Sequence, residues 1–353
     1  MAAAWQVGLV GYGMAGRVFH APLIGAVPGL RLAAIATSRA DEVAALGADI
    51  AALPTPEALL ARPDIDLAVI ATPSATHAAL ATCALEAGKH VVVDKPVALS
   101  LAEAQRLADC ARAHGRHLFA FHNRRWDSDF LSVRAALAEG LPGRVTHARL
   151  TFNRFRPEVR QRWREQAGPG AGVWFDLGPH LVDQALQLFG WPQAVSADIA
   201  ALRTGGSADD YALVQLLYAD KRVVLEAGLH APSGLHGGPP RIAIHGTQGA
   251  LVKRGLDPQE AQLVAGLRPA DAAFGVDEDP LLLLDGEGGC EARAALRGCQ
   301  QAFYAAVAEA LAQPPGTAGP NRIEEILAVQ AVIEAAFTSA RQGAVVALAE
   351  PAP

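Results

Sequence analysis

Apolar positions in the first third of the chain come in short, dense runs separated by amphipathic stretches. Val7–Val10, Leu30–Thr37, Leu67–Ala71, His90–Asp94 and His117–Phe121 read as strands, and Ala75–Ala87 and Leu101–His114 as helices. Ser100 and Glu103 fit a capping box at the start of the second helix. Four- to six-residue apolar runs alternating with helices predict a parallel sheet covered on both faces. Right-handed crossovers then give a doubly wound α/β Rossmann domain over residues 1–122.

Beyond that point the period changes. Arg144–Phe152, Val195–Leu202, Tyr211–Ala219, Arg222–His230 and the pair Ile242–His245 and Leu251–Arg254 are strand candidates. Asp220-Lys221 and Gly246–Gly249 supply hairpin turns between them. Leu177–Phe189 reads as one helix whose N-cap is Asp176; Gln300–Leu311 and Ile323–Arg341 are two more, and 268–298 reads as loop. Strands in succession predict a second, α+β domain over 123–353, built on a large, mostly antiparallel sheet. One face of such a sheet takes the helices; the open face suits a homodimer or homotetramer.

The length, 353 residues, agrees with two domains, and 51% apolar against 19% charged residues describes an ordinary globular chain. Thirty basic and 36 acidic residues leave a net charge of −6 without a long basic run, which argues against a nucleic-acid partner. No apolar run approaches the roughly 20 residues of a membrane span, and the start lacks the pattern of a secretory signal. Cys83, Cys110, Cys290 and Cys299 form no CxxC pair, so neither a disulfide framework nor a zinc site is expected. A cytoplasmic protein without a metal is the expectation.

Directly after the first strand comes Gly11-Tyr12-Gly13-Met14-Ala15-Gly16. G-x-G-x-x-G is a weak signal alone, but a preceding strand and a following helix make it a dinucleotide loop. Its glycines permit a tight turn, a close pyrophosphate and close helix–strand packing. The second strand ends in Thr37-Ser38-Arg39, where an NAD-binding chain would carry an acid. A hydroxyl and a guanidinium suit a 2′-phosphate, so Ser38 and Arg39 favour NADP, with NAD still open. The plainer reading makes Arg39 a solvated helix residue.

Two further strand ends carry chemistry. Ala71-Thr72-Pro73-Ser74, with His77 one turn later, is placed to line the nicotinamide side of a cofactor. Asp94, Lys95 and Pro96 close the next strand, where an ammonium can serve a hydroxyl that loses its proton as hydride leaves. A surface lysine paired with Asp94 fits position alone equally well. In the second domain Asp176 and His180 are four residues apart, an imidazole backed by a carboxylate. A helix cap and a packed histidine explain the same spacing.

Together GYGMAG, ATPSATH, GKHVVVDKP and GVWFDLGPHLVDQALQLFG resemble the Gfo/Idh/MocA oxidoreductases over essentially the whole chain. FHNRRWDSDF, RPEVRQRWRE and HGTQGALVKRGLDPQE are similar to its NADP-dependent scyllo-inositol dehydrogenase-like branch. Asp94 stands where the family more often has Glu. The resemblance implies that Lys95 hydrogen-bonds the reacting hydroxyl, His180 is the acid/base, and Asp176 orients substrate or His180. It also implies that Pro73 and Pro96 shape the nicotinamide pocket. Asn123, Arg124 and Trp126 would lie between cofactor and substrate, Trp163 and Arg164 would reach the cofactor, and the helix at about 323–341 would pack back on the first domain.

The expected activity is hydride transfer between NADP(H) and a secondary alcohol of a polyol, inositol or sugar. A dihydrodiol or imine-type substrate, or a cofactor-bound sensor without turnover, are the alternatives on the same fold.

Overall fold

In the computed structural model, which describes residues 4–349, the strand runs of the first third assemble as one parallel sheet. Its strands are β1 (Trp5–Val10), β2 (Leu30–Ala36), β3 (Ala51–Leu53), β4 (Leu67–Ile70), β5 (His90–Val93) and β6 (Leu118–Ala120), in the order β3-β2-β1-β4-β5-β6. The order reverses between β1 and β4, so the loops leaving those strands diverge and open a crevice at their carboxyl ends. Every residue of β4 is buried, as a strand covered on both faces requires.

This first compact unit holds residues 4–123 together with 259–274 and 299–327. The last of these segments closes an open sheet edge. The Asn321 amide accepts the Ala120 N–H at 3.0 Å and donates to the Ala120 carbonyl at 2.7 Å, so a side chain pairs β6 as a further strand would. Ile323 and Ile326 join the same core as Val91, Val93 and Leu118. The capping box forms at Leu101–Ala113: Ser100 Oγ accepts the Glu103 N–H at 3.2 Å, and the Glu103 carboxylate accepts the Leu99 N–H at 2.9 Å.

The second unit, residues 124–258, 275–298 and 328–349, is built on a nine-stranded sheet. Its strands are β7 (Val145–Asn153), β8 (Ala194–Ala200), β9 (Tyr211–Leu217), β10 (Arg222–Gly228), β11 (Ile242–Gly246), β12 (Gly249–Lys253), β13 (Leu281–Leu284), β14 (Cys290–Arg293) and β15 (Val346–Ala347). Both expected hairpins are present, β9–β10 and β11–β12, the latter closing on the Gly246–Gly249 pair. One pairing, β10 with β7, is parallel, so the sheet is mixed. Strict alternation puts Ala212, Val214, Leu216, Val223 and Leu225 under the helix Val173–Phe189. Arg149, Gln215 and Glu226 take the opposite face.

Two expectations need correction. Residues 268–298 are not all loop, because β13 and β14 extend the sheet there. Four consecutive leucines have no period; β13 is a strand because β12 offers it a free edge. Nor does Asp176 cap its helix. The helix starts at Val173 with Gly172 as N-cap, which leaves Asp176 inside the first turn and Pro179 within the helix.

Among the described residues no helix is long and apolar enough to cross a membrane.

Candidate functional site

The glycine loop explains itself by steric contact. Gly11 has φ +99°, and a methyl there would lie 2.5 Å from the Ala71 carbonyl oxygen; one on Gly16 would lie 2.2 Å from the Gly11 oxygen. The fold itself therefore requires those two glycines. Gly13 differs, because a methyl there would meet nothing within 4 Å. Its bare backbone faces open space, the cradle that a pyrophosphate needs. The residues present fit a dinucleotide.

At the end of β2 the Arg39 N–H donates to Thr37 Oγ1 at 3.1 Å. The Arg39 guanidinium is half exposed and meets Glu42 at 3.1 Å, while Arg17 reaches the other oxygen of Glu42 at 3.7 Å. Sequence reasoning missed Arg17 and Glu42, which bring a second cation and a competing carboxylate to this corner.

His77 does not present its ring to open space. It is buried, with Nδ1 2.7 Å from the Pro96 carbonyl and Nε2 2.8 Å from the Thr72 carbonyl. Carbonyls only accept and a neutral ring donates through one nitrogen alone, so only the imidazolium form donates to both and ties the loop after β4 to the loop after β5. Thr72 and Thr76 share a hydroxyl contact at 2.7 Å, and the Thr76 hydroxyl donates to the Pro73 carbonyl. Ser74 is buried at the start of this turn.

Beside it, the buried Asp94 accepts the backbone N–H of Lys95 at 2.7 Å, and the Lys95–Pro96 peptide is cis. Burial alone would raise the Asp94 carboxyl, but His20, Lys95 and His77 outweigh it and hold the group well below the usual carboxylate range. Lys95 therefore follows an obligate carboxylate, at the carboxyl end of a strand beside the crevice. Asn123 ends this unit and is buried.

The second unit positions its candidates on Val173–Phe189. Gly172, at φ +97°, lacks a capping side chain, and Asp209 supplies the cap from a distant loop. Its carboxylate accepts the Trp174 N–H and its carbonyl the Val173 N–H, both at 2.8 Å. Burial pushes the Asp209 carboxyl up to about 6. Gly178 lets Trp174 fold against its own helix, since a methyl at 178 would lie 2.8 Å from the indole.

Asp176 meets the Arg164 guanidinium at 2.5 Å, and Arg164 lies over the Trp163 ring at 4.7 Å. His180, one turn further along, is buried. The loop bearing Trp163 and Arg164 is anchored by Arg203, which is itself buried between Asp210 at 2.9 Å and Glu165 at 3.0 Å. Arg203 also donates to the carbonyls of Arg156 and Glu158.

Behind the helix lies a buried polar layer with no local signature in sequence. Arg124 pairs with Asp127 at 2.9 Å and sits 4.7 Å over Phe152; Arg125 grips Asp183 through two nitrogens. Arg241 pairs with Asp129 at 2.9 Å and donates to Gln184.

Residues 5–122 match the family described as the oxidoreductase family with an NAD-binding Rossmann fold, and residues 130–252 match the GFO/IDH/MocA C-terminal domain. An uncharacterized oxidoreductase YdgJ of Escherichia coli is 44% identical over 349 residues, 98% of this chain and 99% of that protein. The scyllo-inositol 2-dehydrogenase (NADP(+)) IolW of Bacillus subtilis is 34% identical over 342 residues, 96% and 94% of the respective chains. A solved structure from Klebsiella pneumoniae superposes with a TM-score of 0.90 at 46% identity, covering 98% of this chain and 96% of that one.

Proposed function

Since the chain belongs to the Gfo/Idh/MocA oxidoreductase family, we propose that it is an NADP-dependent dehydrogenase acting on a secondary alcohol of a polyol, inositol or sugar. When bound, the nicotinamide accepts or delivers the hydride. Gly11–Gly16 would hold the pyrophosphate, with open space beside the bare backbone of Gly13 to receive it. Ser38 and Arg39 take the 2′-phosphate, and the nearby Arg17 reinforces them.

Lys95 donates to the substrate oxygen and steadies the negative charge left there as the hydroxyl proton departs, or as hydride arrives in the reverse direction. His180 takes the hydroxyl proton in oxidation and returns it in reduction. Asp176, held by Arg164, orients the substrate or the imidazole. The observation that carries this reading is the strand end at β5, where Lys95 follows the buried Asp94, on the same sheet whose strand β1 runs into the open glycine cradle.

The relative that is a scyllo-inositol dehydrogenase using NADP(+) supports both the substrate class and the cofactor. The direct test is NADPH oxidation against a panel of inososes and keto-sugars, and NADP reduction against the matching polyols. Turnover with at least one member is the expected result. Tight cofactor binding with no turnover on any of them would instead describe a sensor.

A further inference from the structure

We propose that His20 and Tyr304 are positioning residues for Lys95, acting through the carboxylate of Asp94. The inference deepens the role given to Lys95 above, and all four residues belong to the first unit. His20 ends the turn Gly16–His20 behind the glycine loop, Asp94 follows β5, and Tyr304 lies on the helix Gln301–Leu311, 284 residues from His20.

The Tyr304 hydroxyl is 2.6 Å from His20 Nδ1, and His20 Nε2 is 3.9 Å from Asp94 Oδ2. The other oxygen of Asp94 accepts the Lys95 N–H. At 3.9 Å the His20–Asp94 contact is electrostatic rather than a hydrogen bond. One neutral tautomer suits both ends: Nε2–H faces the carboxylate, and Nδ1 accepts from the phenol.

Packing does not need these polar atoms. His20 lies 4.1 Å from the Phe121 ring, and Tyr304 sits against Phe121 at 5.8 Å and Phe303 at 5.2 Å. Two phenylalanines would fill such a box; the hydroxyl and Nδ1 satisfy each other, which leaves His20 Nε2 buried without a hydrogen-bond partner and facing Asp94 Oδ2. What the pair acts on is Asp94. Neither side chain has any exposed surface, so the chain ends inside the core and cannot carry a proton to water. Its effect is therefore on charge and orientation. The groups facing Asp94 are His20, His77 from the preceding helix, Lys95 beside it and Tyr304. Burial, then the charge of Asp94, keeps the Tyr304 hydroxyl well above its ordinary range, so it remains a neutral donor.

The chain has only four lysines, Lys89, Lys95, Lys221 and Lys253, so the ε-carbon of each is resolvable by NMR of protein labelled with [ε-13C]lysine. Lys95→Arg assigns the signal, and the buried Lys253 signal reports whether each variant is folded. No substrate or cofactor is added, so the result can be read even if the oxidoreductase reading fails. Asp94→Asn is expected to lower the Lys95 titration midpoint by about one pH unit or more, and Asp94→Glu to restore it. Tyr304→Phe, which keeps the ring in its box, decides the proposal. A midpoint moved by about 0.3 unit or more supports it, and any smaller change overturns it. His20→Asn should shift the midpoint in the same direction.

Discussion

His77 and Pro96 are joined by a 2.7 Å hydrogen bond from a buried ring nitrogen to a backbone carbonyl, while the opposite nitrogen holds Thr72. The strand-end loops after β4 and β5 therefore share one donor side chain. His77→Ala would leave two carbonyls without their donor, each costing about 1–3 kcal/mol. The melting temperature should fall by several degrees, and His77→Gln should recover part of the loss. An unchanged melting curve for His77→Ala would mean that the loops hold themselves.

Arg164 and Asp176 are about a third exposed, so their ion pair adds at most about 1 kcal/mol to stability. Arg164→Ala should barely move the unfolding midpoint. If Asp176 needs that guanidinium to keep its orientation, kcat/KM should nevertheless drop by about tenfold or more. Equal small effects on both would reduce Arg164 to a surface residue.

Two half-buried groups give opposite pH dependences. Asp209 titrates near 6 when folded, above its unfolded value of 3.8, so the folded state binds the extra proton between these values. Stability from this group is lost as pH rises through about 4 to 6, by an amount on the order of 2–3 kcal/mol. His90 is lowered to about 4 by burial, then by His117 and Arg116, against 6.5 unfolded. Here the unfolded chain binds the extra proton, and stability is lost as pH falls from about 6.5 to 4. Denaturant titrations at pH 4.5 and 7 separate the two. Relative to wild type, Asp209→Asn should gain stability on going to pH 7, and His90→Gln on going to pH 4.5. A pH-independent difference for either variant would contradict its assignment.

Glu42 sits between the guanidiniums of Arg17 and Arg39, where a 2′-phosphate would have to compete with it. Glu42→Gln should tighten NADP binding several-fold and leave NAD binding nearly unchanged, as measured by fluorescence titration. Arg39→Ala should do the reverse, weakening NADP selectively. An unaltered ratio in both variants would remove this corner from cofactor selection.

Much of the first unit was legible because its strands are buried on both faces: Val91–Val93 and Leu67–Ile70 stand out as apolar runs. The three residues Ala51–Leu53 are too few to carry such a signal, and β3 exists through its pairing with β2. The second sheet was legible where one face is wet, as along Tyr211–Leu217, and not at Leu281–Leu284, where only a neighbour's edge decides. At the candidate site the glycine loop stood out by its spacing and context, whereas Lys95, Asp176 and His180 fit a plainer reading equally well by spacing and were singled out by the resemblance. Their supports carried no local signal. Asp209 caps a helix 35 residues away in sequence, and Tyr304 reaches His20 across 284 residues, so only the folded chain brings them together.

The central claim is that Lys95 and His180 handle the proton of the alcohol whose carbon exchanges hydride with NADP(H). Stopped-flow measurement of NADPH oxidation by a turned-over inosose or keto-sugar, at saturating cofactor, tests it in wild type, Lys95→Ala and His180→Ala. The account predicts that each substitution slows hydride transfer by about 10²-fold or more while cofactor affinity stays within a few-fold. Hydride transfer at the wild-type rate in both variants would contradict it.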